Sequence, residues 1–248
     1  MKKSLTLTHP GRREILIAGG TFATLPLLSL SGALAQTPAD TKIGVVGSGR
    51  LGGAVGTIFA KAGYKVMFSS RHPEELKDLV ASAGPNASAG TVQQAIAFGN
   101  VILLAVPYKA LPEVGRENAA GLKGKIVLDA CNPIPARDGE IVKEANANGV
   151  GETSQKYLPG VRLVRAFNSF SGRTFATEGH RAGEPIGVPL ASDDAEAMKI
   201  AEKLVRDVGF EPVPVPLARA REFAPPGPLF TRALPVSELK KELGIISQ

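Results

Sequence analysis

Three glycines at the spacing G-x-G-x-x-G are the residues whose types and spacing most clearly point to chemistry. They stand in the string Gly47-Ser48-Gly49-Arg50-Leu51-Gly52. We expect Gly47 to allow a tight turn, Gly49 to let the backbone approach a pyrophosphate, and Gly52 to let a helix lie close to a strand. A Walker loop is excluded, because Gly53 rather than Lys follows the string. The alternative is a glycine-rich turn that binds nothing.

The segments around this loop predict that it joins a strand to a helix. Residues 42–47 form a β-branched run, and 51–63 have helical spacing and end at a glycine. Further strands are predicted at 64–69, 101–106, 125–129 and 161–167, with helices at 73–83 and 91–98. Several of these strands are apolar throughout, which is typical of a parallel sheet covered on both faces. The predicted fold class is therefore α/β, with a Rossmann-like, doubly wound and mostly parallel sheet.

The sequence changes character after Asn168. We predict a helix at 171–181, a strand at 186–191 and an amphipathic helix at 193–208. Seven of the 19 prolines then fall between residues 211 and 235, which disfavours helix and central strand. We therefore expect residues 36–168 to form the dinucleotide-binding domain, and 169–248 a smaller C-terminal α/β domain with a Pro-rich, looped tail.

The residues after the second predicted strand distinguish the two common dinucleotides. An NAD enzyme normally has Asp or Glu there, which binds the ribose hydroxyls. This sequence has Ser69-Ser70-Arg71-His72 instead. Arg71 can stack on adenine and bond a 2′-phosphate, and Arg50 adds positive charge, so the pattern favours NADP(H). The alternative is that Glu74 or Glu75 faces the ribose.

The ends of the later strands are expected to wall the ribose and nicotinamide. These residues are Ala105, Val106, Pro107 and Asn132. We expect Cys131 to be inert packing and Asp129 to stabilise a turn. No catalytic residue is assigned, because hydride transfer depends mainly on positioning two ring carbons in a dry site.

Composition excludes several other classes of protein. The chain has 248 residues, 44% hydrophobic and 21% charged, which is typical of a globular protein. A single Cys allows no intramolecular disulfide, and three scattered His suggest no metal site. The net charge is +6, of which the first 35 residues contribute half. The remaining charge is too mild and scattered to predict nucleic-acid binding.

The first 35 residues read as an export signal. Lys2 and Lys3 precede an Arg12-Arg13 pair, an apolar stretch follows, and the segment ends in Ala33-Leu34-Ala35. This pattern predicts a twin-arginine signal peptide cleaved after Ala35, and hence a periplasmic protein. The alternatives are a general secretion signal and an uncleaved membrane anchor. Once cleaved, the chain is expected to have no stable membrane insertion.

These motifs together resemble the NADPH-dependent deazaflavin reductases, which are NADP oxidoreductases dependent on coenzyme F-420. The resemblance spans roughly residues 42–221 and rests on the fingerprint 43–52, Ser70-Arg71, 104–107 and Ala166-Phe167-Asn168. The same module occurs in the cytosolic domain of some metalloreductases. The resemblance implies that NADPH binds the Rossmann domain and that deazaflavin binds in a cleft against the smaller domain. By position it places these residues at the NADPH site: Ser48, Arg50, Leu51, Ser70, Arg71, Ala105, Pro107 and Ala166.

Two departures from the family stand out. Some members have a Lys near the 2′-phosphate where this sequence has Glu75, and the tail 223–235 has no counterpart. The segment 216–221 resembles one near the second site.

The leading hypothesis is an oxidoreductase that passes hydride between NADP(H) and a small deazaflavin or flavin-like acceptor. The alternatives are a ferric or flavin reductase and a non-catalytic NADP-binding module. The acceptor and the oligomeric state stay open, with a homodimer as one option.

Overall fold

An eight-stranded sheet organises the computed structural model, which describes residues 40–245. The spatial order is β3-β2-β1-β4-β5-β6-β7-β8, and every neighbouring pair is parallel except β6 and β7. The strands are β1 (Lys42–Val46), β2 (Lys65–Ser69), β3 (Ala87–Gly90), β4 (Val101–Leu104), β5 (Ile126–Asp129), β6 (Arg162–Arg165), β7 (Gly187–Ala191) and β8 (Glu211–Val215). The predicted α/β, doubly wound, mostly parallel sheet is confirmed.

Helices cover both faces of the sheet. One face carries α1 (Arg50–Lys61), α2 (Lys77–Ala83), α8 (Gly172–Glu178) and α9 (Ala195–Asp207). The other carries α3 (Val92–Phe98), α4 (Leu111–Leu122), α6 (Ile141–Asn148), α7 (Val150–Tyr157) and α10 (Val236–Glu242). A single turn, α5 (Pro135–Asp138), follows β5. Successive strand residues alternate between the two cores, with Val45 in one and Val46 in the other.

An aromatic cluster fixes α1 and α8 to the end of β6. The ring of Phe167 lies 5.3 Å from the ring of Phe59 in α1 and 5.3 Å from that of Phe175 in α8, centroid to centroid. All three residues are fully buried. The first pair is edge-to-face and the second is tilted, and aromatic pairs of this kind add about 0.5–1.5 kcal/mol each beyond the burial of the rings. The backbone just after β6 is therefore held by both helices.

The boundary predicted after Asn168 does not separate two sheets. Strands β7 and β8 extend the same sheet, and the described residues of 36–248 form one compact unit. The Pro-rich segment, expected to be looped, contains β8. Pro212 and Pro214 alternate in this edge strand, so their missing N–H groups face the open side, where no ladder partner is needed. The tail also contains α10, in which Leu239 packs against Gly187 of β7.

The N-terminal prediction concerns residues outside the described range. The signal peptide and its cleavage after Ala35 therefore stay predictions. Within residues 40–245, none of the helices has both the length and the apolar character needed to span a bilayer.

Asp194 joins α9 to the sheet and is the most strongly shifted carboxylate at that junction. It caps α9 by accepting hydrogen bonds from the N–H groups of Glu196 and Ala197, at 3.1 and 2.9 Å. Arg162 of β6 donates two more, at 2.7 and 2.8 Å. These bonds, that of Arg162 foremost, lower the pKa of Asp194 from 3.8 to about 2.

We predict that Asp194→Asn removes a pH-dependent part of the stability. Asparagine still caps the helix but loses the charge. Because the pKa is lower in the folded state, the stabilisation is present above pH 4 and is lost as the pH falls towards 2. The free energy of unfolding should drop by about 1–2 kcal/mol at pH 7, allowing for solvent screening, by roughly half as much near pH 3 and by much less near pH 2. Denaturant unfolding across that range measures it, with the exposed Asp78→Asn as control. A difference that stays constant with pH would contradict the assignment.

Candidate functional site

The carboxyl ends of five parallel strands meet at one edge of the sheet. Strands β1, β2, β4, β5 and β6 all point the same way, and the chain reverses its direction of winding between β1 and β4. Ligands of open α/β sheets bind at such a switch point. Every site residue predicted from the sequence follows one of these five strands, except Ser69, which is the last residue of β2. The fold therefore gathers them at the edge where a ligand is expected.

The three glycines have the distinct geometries that the motif predicts. Gly47 has a φ of +96°, and a Cβ there would lie 2.5 Å from the carbonyl oxygen of Ala105. A Cβ on Gly52 would lie 2.0 Å from the carbonyl oxygen of Gly47, so α1 begins in direct contact with the loop. A Cβ on Gly49 would have no atom within 4 Å. The turn and the close helix approach are confirmed, and the loop presents an open backbone at Gly49.

The start of α1 offers N–H groups that no side chain uses. The N-cap residue Gly49 makes no side-chain cap, and the first turn contains no acidic residue. The first N–H groups of a helix have no partner within it, and they carry a partial positive charge. An anionic group above Gly49 would complete this helix end, as pyrophosphate does in dinucleotide-binding folds.

Two serines tie the glycine loop to the end of β2. Ser69 donates its N–H to the hydroxyl oxygen of Ser48 at 3.0 Å and its own hydroxyl to the carbonyl oxygen of Val45 at 2.7 Å. The next residue, Ser70, donates its N–H to the carbonyl oxygen of Gly90 at 3.3 Å. The segment after β2 is therefore held beside the glycine loop.

Cationic side chains come directly after Gly49 of the glycine loop and after the end of β2 in the chain. Arg50 and Arg71 are exposed, and neither forms an ion pair with any residue in 40–245. The exposed His72 places its Nδ1 atom 3.5 Å from the carboxylate of Glu74. Leu51 is half-buried against the core beneath. Two exposed guanidinium groups without an ion-pair partner among residues 40–245 therefore follow the ends of β1 and β2.

The ends of β4, β5 and β6 form the other half of the edge. Ala105 and Val106 are half-buried and Pro107 is exposed, as a wall for a ligand requires. Asn132 is half-buried, and its amide is turned into the protein: it donates to the carbonyl of Asn168 at 2.7 Å and accepts from the Asn168 amide at 3.1 Å. Ala166 is fully buried, so it supports the edge from below and does not line its surface.

A buried ion pair beneath this half was missed by the sequence analysis. Asp129 and Arg165 are directly opposite each other in β5 and β6, and both side chains are 0% exposed. The Nη1 atom of Arg165 lies 2.7 Å from Asp129 Oδ2 and donates to the carbonyl oxygen of Cys131 at 2.6 Å. Its Nη2 atom lies 3.3 Å from Asn132 Oδ1. The Arg165 guanidinium therefore binds the last residue of β5 and two consecutive residues of the turn that follows it.

The pair fixes the protonation of its neighbours. Burial opposes the charge of Arg165, but the interactions with Asp129, Tyr108 and Cys131 together outweigh burial and raise the pKa of Arg165. Burial, with the charge of Asp129, raises the pKa of the Cys131 thiol. That thiol is packed with its Sγ 3.4 Å from the carbonyl oxygen of Leu104, in the inert role predicted. Asp129 also accepts the N–H of Cys131 at 2.9 Å, so its predicted turn-stabilising role is confirmed alongside the ion pair.

This buried polar network lowers the stability of the fold relative to an apolar core. Within the described residues, Arg165 Nε, Asn168 Oδ1 and Ser169 Oγ are buried with no hydrogen-bond partner. Each such atom costs about 1–3 kcal/mol. Replacing a buried ion pair by apolar residues of similar volume is often neutral or stabilising. A sequence signal existed: Asp129 and Arg165 each follow apolar residues at the end of a strand, and parallel neighbours place such ends side by side.

We predict that Gly49→Val and Gly52→Val separate binding from folding. Gly49 has free space and ordinary extended backbone, so valine there should lower the free energy of unfolding by no more than about 1 kcal/mol, the usual cost of an apolar residue at an N-cap. The same side chain blocks the approach of a pyrophosphate and should abolish dinucleotide binding. At Gly52 the new atoms overlap the backbone of the loop, so stability should fall by about 1–3 kcal/mol or more.

Thermal unfolding and calorimetric titration with NADP⁺ measure the two effects. Undiminished binding by a folded Gly49→Val protein would show that the loop is only structural.

Comparison with known proteins identifies the nucleotide-binding part of the chain. Residues 42–133 match the family model described as NADP oxidoreductase coenzyme F420-dependent. The rat (Rattus norvegicus) metalloreductase STEAP3 is 29% identical over 201 residues, which cover 79% of this chain. The match spans only 38% of the length of that relative.

Solved structures show the same fold. A hypothetical protein of Sinorhizobium meliloti superposes with a TM-score of 0.70 at 24% identity, covering 79% of this chain and 95% of its own. A protein of an Arthrobacter species, titled as an F420-dependent NADP reductase, gives a TM-score of 0.63 at 22% identity, covering 73% of this chain and 87% of its own. The resemblance found in the sequence is thus confirmed. Residues 42–133, on a Rossmann-type fold, match the model of the NADP oxidoreductases that depend on coenzyme F-420.

Proposed function

We propose that this protein is an NADP(H)-dependent oxidoreductase that transfers hydride between nicotinamide and a flat deazaflavin or flavin-like acceptor. The observation that carries the proposal is the uncapped start of α1 at Gly49, where an added Cβ would have no atom within 4 Å. A dinucleotide pyrophosphate fits this place in size, charge and hydrogen-bonding capacity.

The choice of NADP(H) over NAD(H) rests on the corner beside β2. Arg71 and Arg50 are exposed cations without ion-pair partners within residues 40–245. A guanidinium can hold a 2′-phosphate through two parallel hydrogen bonds and can also stack on the adenine. The carboxylate of Glu74 lies beside His72. In the alternative, an NAD(H) site, this carboxylate would accept a hydrogen bond from a ribose hydroxyl. The description of the matching family as NADP oxidoreductases supports the same choice.

The chain's own residues would act by binding and orienting. The N–H groups of α1 would hold the pyrophosphate, and Ala105, Val106 and Pro107 would form an apolar wall that limits water at the nicotinamide end. Bound NADPH supplies the hydride. No general acid or base is required of the protein, because positioning two rings face to face provides most of the rate.

The comparisons favour acceptors of two chemical classes. The family match favours a deazaflavin, and the rat relative, whose name describes a metalloreductase, favours ferric iron or flavin. We rank deazaflavin first because the family model covers the cofactor edge itself, whereas the relative is more than twice as long as the matched region. A binding module without turnover is the alternative from a different class.

Oxidation of NADPH by the protein in the presence of each acceptor tests the proposal. We expect the nicotinamide absorbance to fall fastest with oxidised deazaflavin, more slowly with free flavin, and least with ferric citrate. Fast turnover with ferric citrate alone would favour the metalloreductase function. NADPH binding without oxidation by any acceptor would contradict the enzyme assignment and favour a binding module.

We predict that Arg71→Ala discriminates between the two dinucleotides. Losing charge-assisted hydrogen bonds to a 2′-phosphate should raise the Kd for NADPH by about ten- to a hundredfold, while the Kd for NADH changes little. Arg116→Ala, which removes another exposed arginine in α4, serves as the matched control. Titration by nicotinamide fluorescence measures both constants. Equal losses for NADPH and NADH would refute the 2′-phosphate assignment.

We also propose that the protein is exported to the periplasm through its Arg12-Arg13 signal and cleaved after Ala35. The twin-arginine route carries folded proteins, so a tightly held dinucleotide could travel with the chain. Fractionation of cells that produce the full chain tests this, with N-terminal sequencing of the exported product. Replacement of both arginines by lysine should retain the protein in the cytoplasm. Unchanged export of that variant would favour a general secretion signal.

A further inference from the structure

We propose that Arg165, which lies beneath the surface of the site, is a positioning residue for the nicotinamide half of the cofactor. This inference rests on the proposed function. Its side chain is 0% exposed, so it cannot touch a ligand. It would act by holding the turn after β5 and the segment after β6 in one arrangement.

Arg165 and its partner Asp129 fix the turn after β5 through several direct hydrogen bonds. Arg165 donates to the carbonyl oxygen of Cys131, and its partner Asp129 accepts the N–H of the same residue. Both backbone polar groups of one residue at the site edge are therefore fixed by the ion pair. The second guanidinium nitrogen reaches the amide oxygen of Asn132. The position of this turn depends on groups that a ligand never meets.

Further hydrogen bonds connect this turn to the segment after β6. The Asn132 amide is bonded to Asn168 in both directions, at 2.7 and 3.1 Å. The Asn168 amide also donates to the carbonyl oxygen of Phe223 in the Pro-rich segment, at 3.1 Å. One chain of hydrogen bonds thus connects β5, β6 and the start of the tail.

Backbone strain marks the same place. Phe167, between β6 and Asn168, has a φ of +58°, which is rare for a residue with a side chain. The aromatic contacts with α1 and α8 keep it there. The next residue, Asn168, lies against Asn132. Strained residues of this kind persist where the surrounding structure over-determines them, and they cluster at ligand sites.

The nicotinamide half is the part this network can influence. In the strand order found here, β1 to β3 form one mononucleotide half and β4 to β6 the other. The glycine loop and Arg71 serve the first half. The turn fixed by Arg165 belongs to the second. The two halves can therefore be measured separately with ligands that contain one or both of them.

The test compares NADPH with adenosine 2′,5′-bisphosphate, which lacks the nicotinamide. Arg165→Lys keeps a cation for Asp129, but a single ammonium cannot reproduce the fork that spans Cys131 and Asn132. The double variant Asp129→Leu with Arg165→Met removes both buried charges at similar volume and should fold. Arg162→Lys is the matched control, since it alters an Asp-paired arginine at the opposite end of the same strand.

We expect both altered proteins to bind NADPH about tenfold more weakly than wild type, with the Kd for the bisphosphate unchanged within about twofold. The fluorescence of bound NADPH, which reports the surroundings of the nicotinamide, should shift towards that of free NADPH. The control should show neither change. Wild-type fluorescence and affinities in the folded variants would overturn the positioning role and leave the proposed function intact. Failure of the wild-type protein to bind NADPH would overturn both.

Discussion

The contact between Gly52 and the carbonyl of Gly47 is the constraint on which the site depends. A Cβ at Gly52 would lie 2.0 Å from that oxygen, so only glycine lets α1 start directly on the loop that leaves β1. This closeness aims the first N–H groups of the helix across the carboxyl edge of the sheet. The same approach leaves Gly49 uncovered. The proposed anion site is therefore formed by backbone alone, before any charged side chain contributes.

The arginines in the two halves of this edge lie in opposite environments. At the β2 corner, Arg50 and Arg71 are exposed and have no ion-pair partner among residues 40–245, which suits recognition of a mobile phosphate. Beneath the β5 and β6 ends, Arg165 is fully enclosed and committed to Asp129 and the turn after it. The first arrangement favours affinity and choice of dinucleotide. The second fixes geometry at a cost in stability, which is what the proposed hydride transfer, controlled by ring positions, would need.

The sequence predicted what local patterns determine. The strand, glycine loop and helix at 42–63 follow from apolar periodicity and glycine spacing, and they agree with β1 and α1 within a few residues. Strand β3 was missed because its Ala, Ser and Gly residues have little β propensity. Strand β8 was missed because its prolines are compatible only with an edge, and an edge is a property of the whole sheet. The link from Arg165 to Asn132 joins residues 33 apart, and only the register of β5 and β6 brings them together.

A crystal structure of the protein with NADP⁺ bound tests the central claim most directly. The account predicts pyrophosphate oxygens within hydrogen-bond distance of the first N–H groups of α1, the 2′-phosphate beside Arg71, and the nicotinamide against the turn that contains Asn132. A dinucleotide bound elsewhere, or bound with its nicotinamide over the β2 and β3 ends, would contradict it.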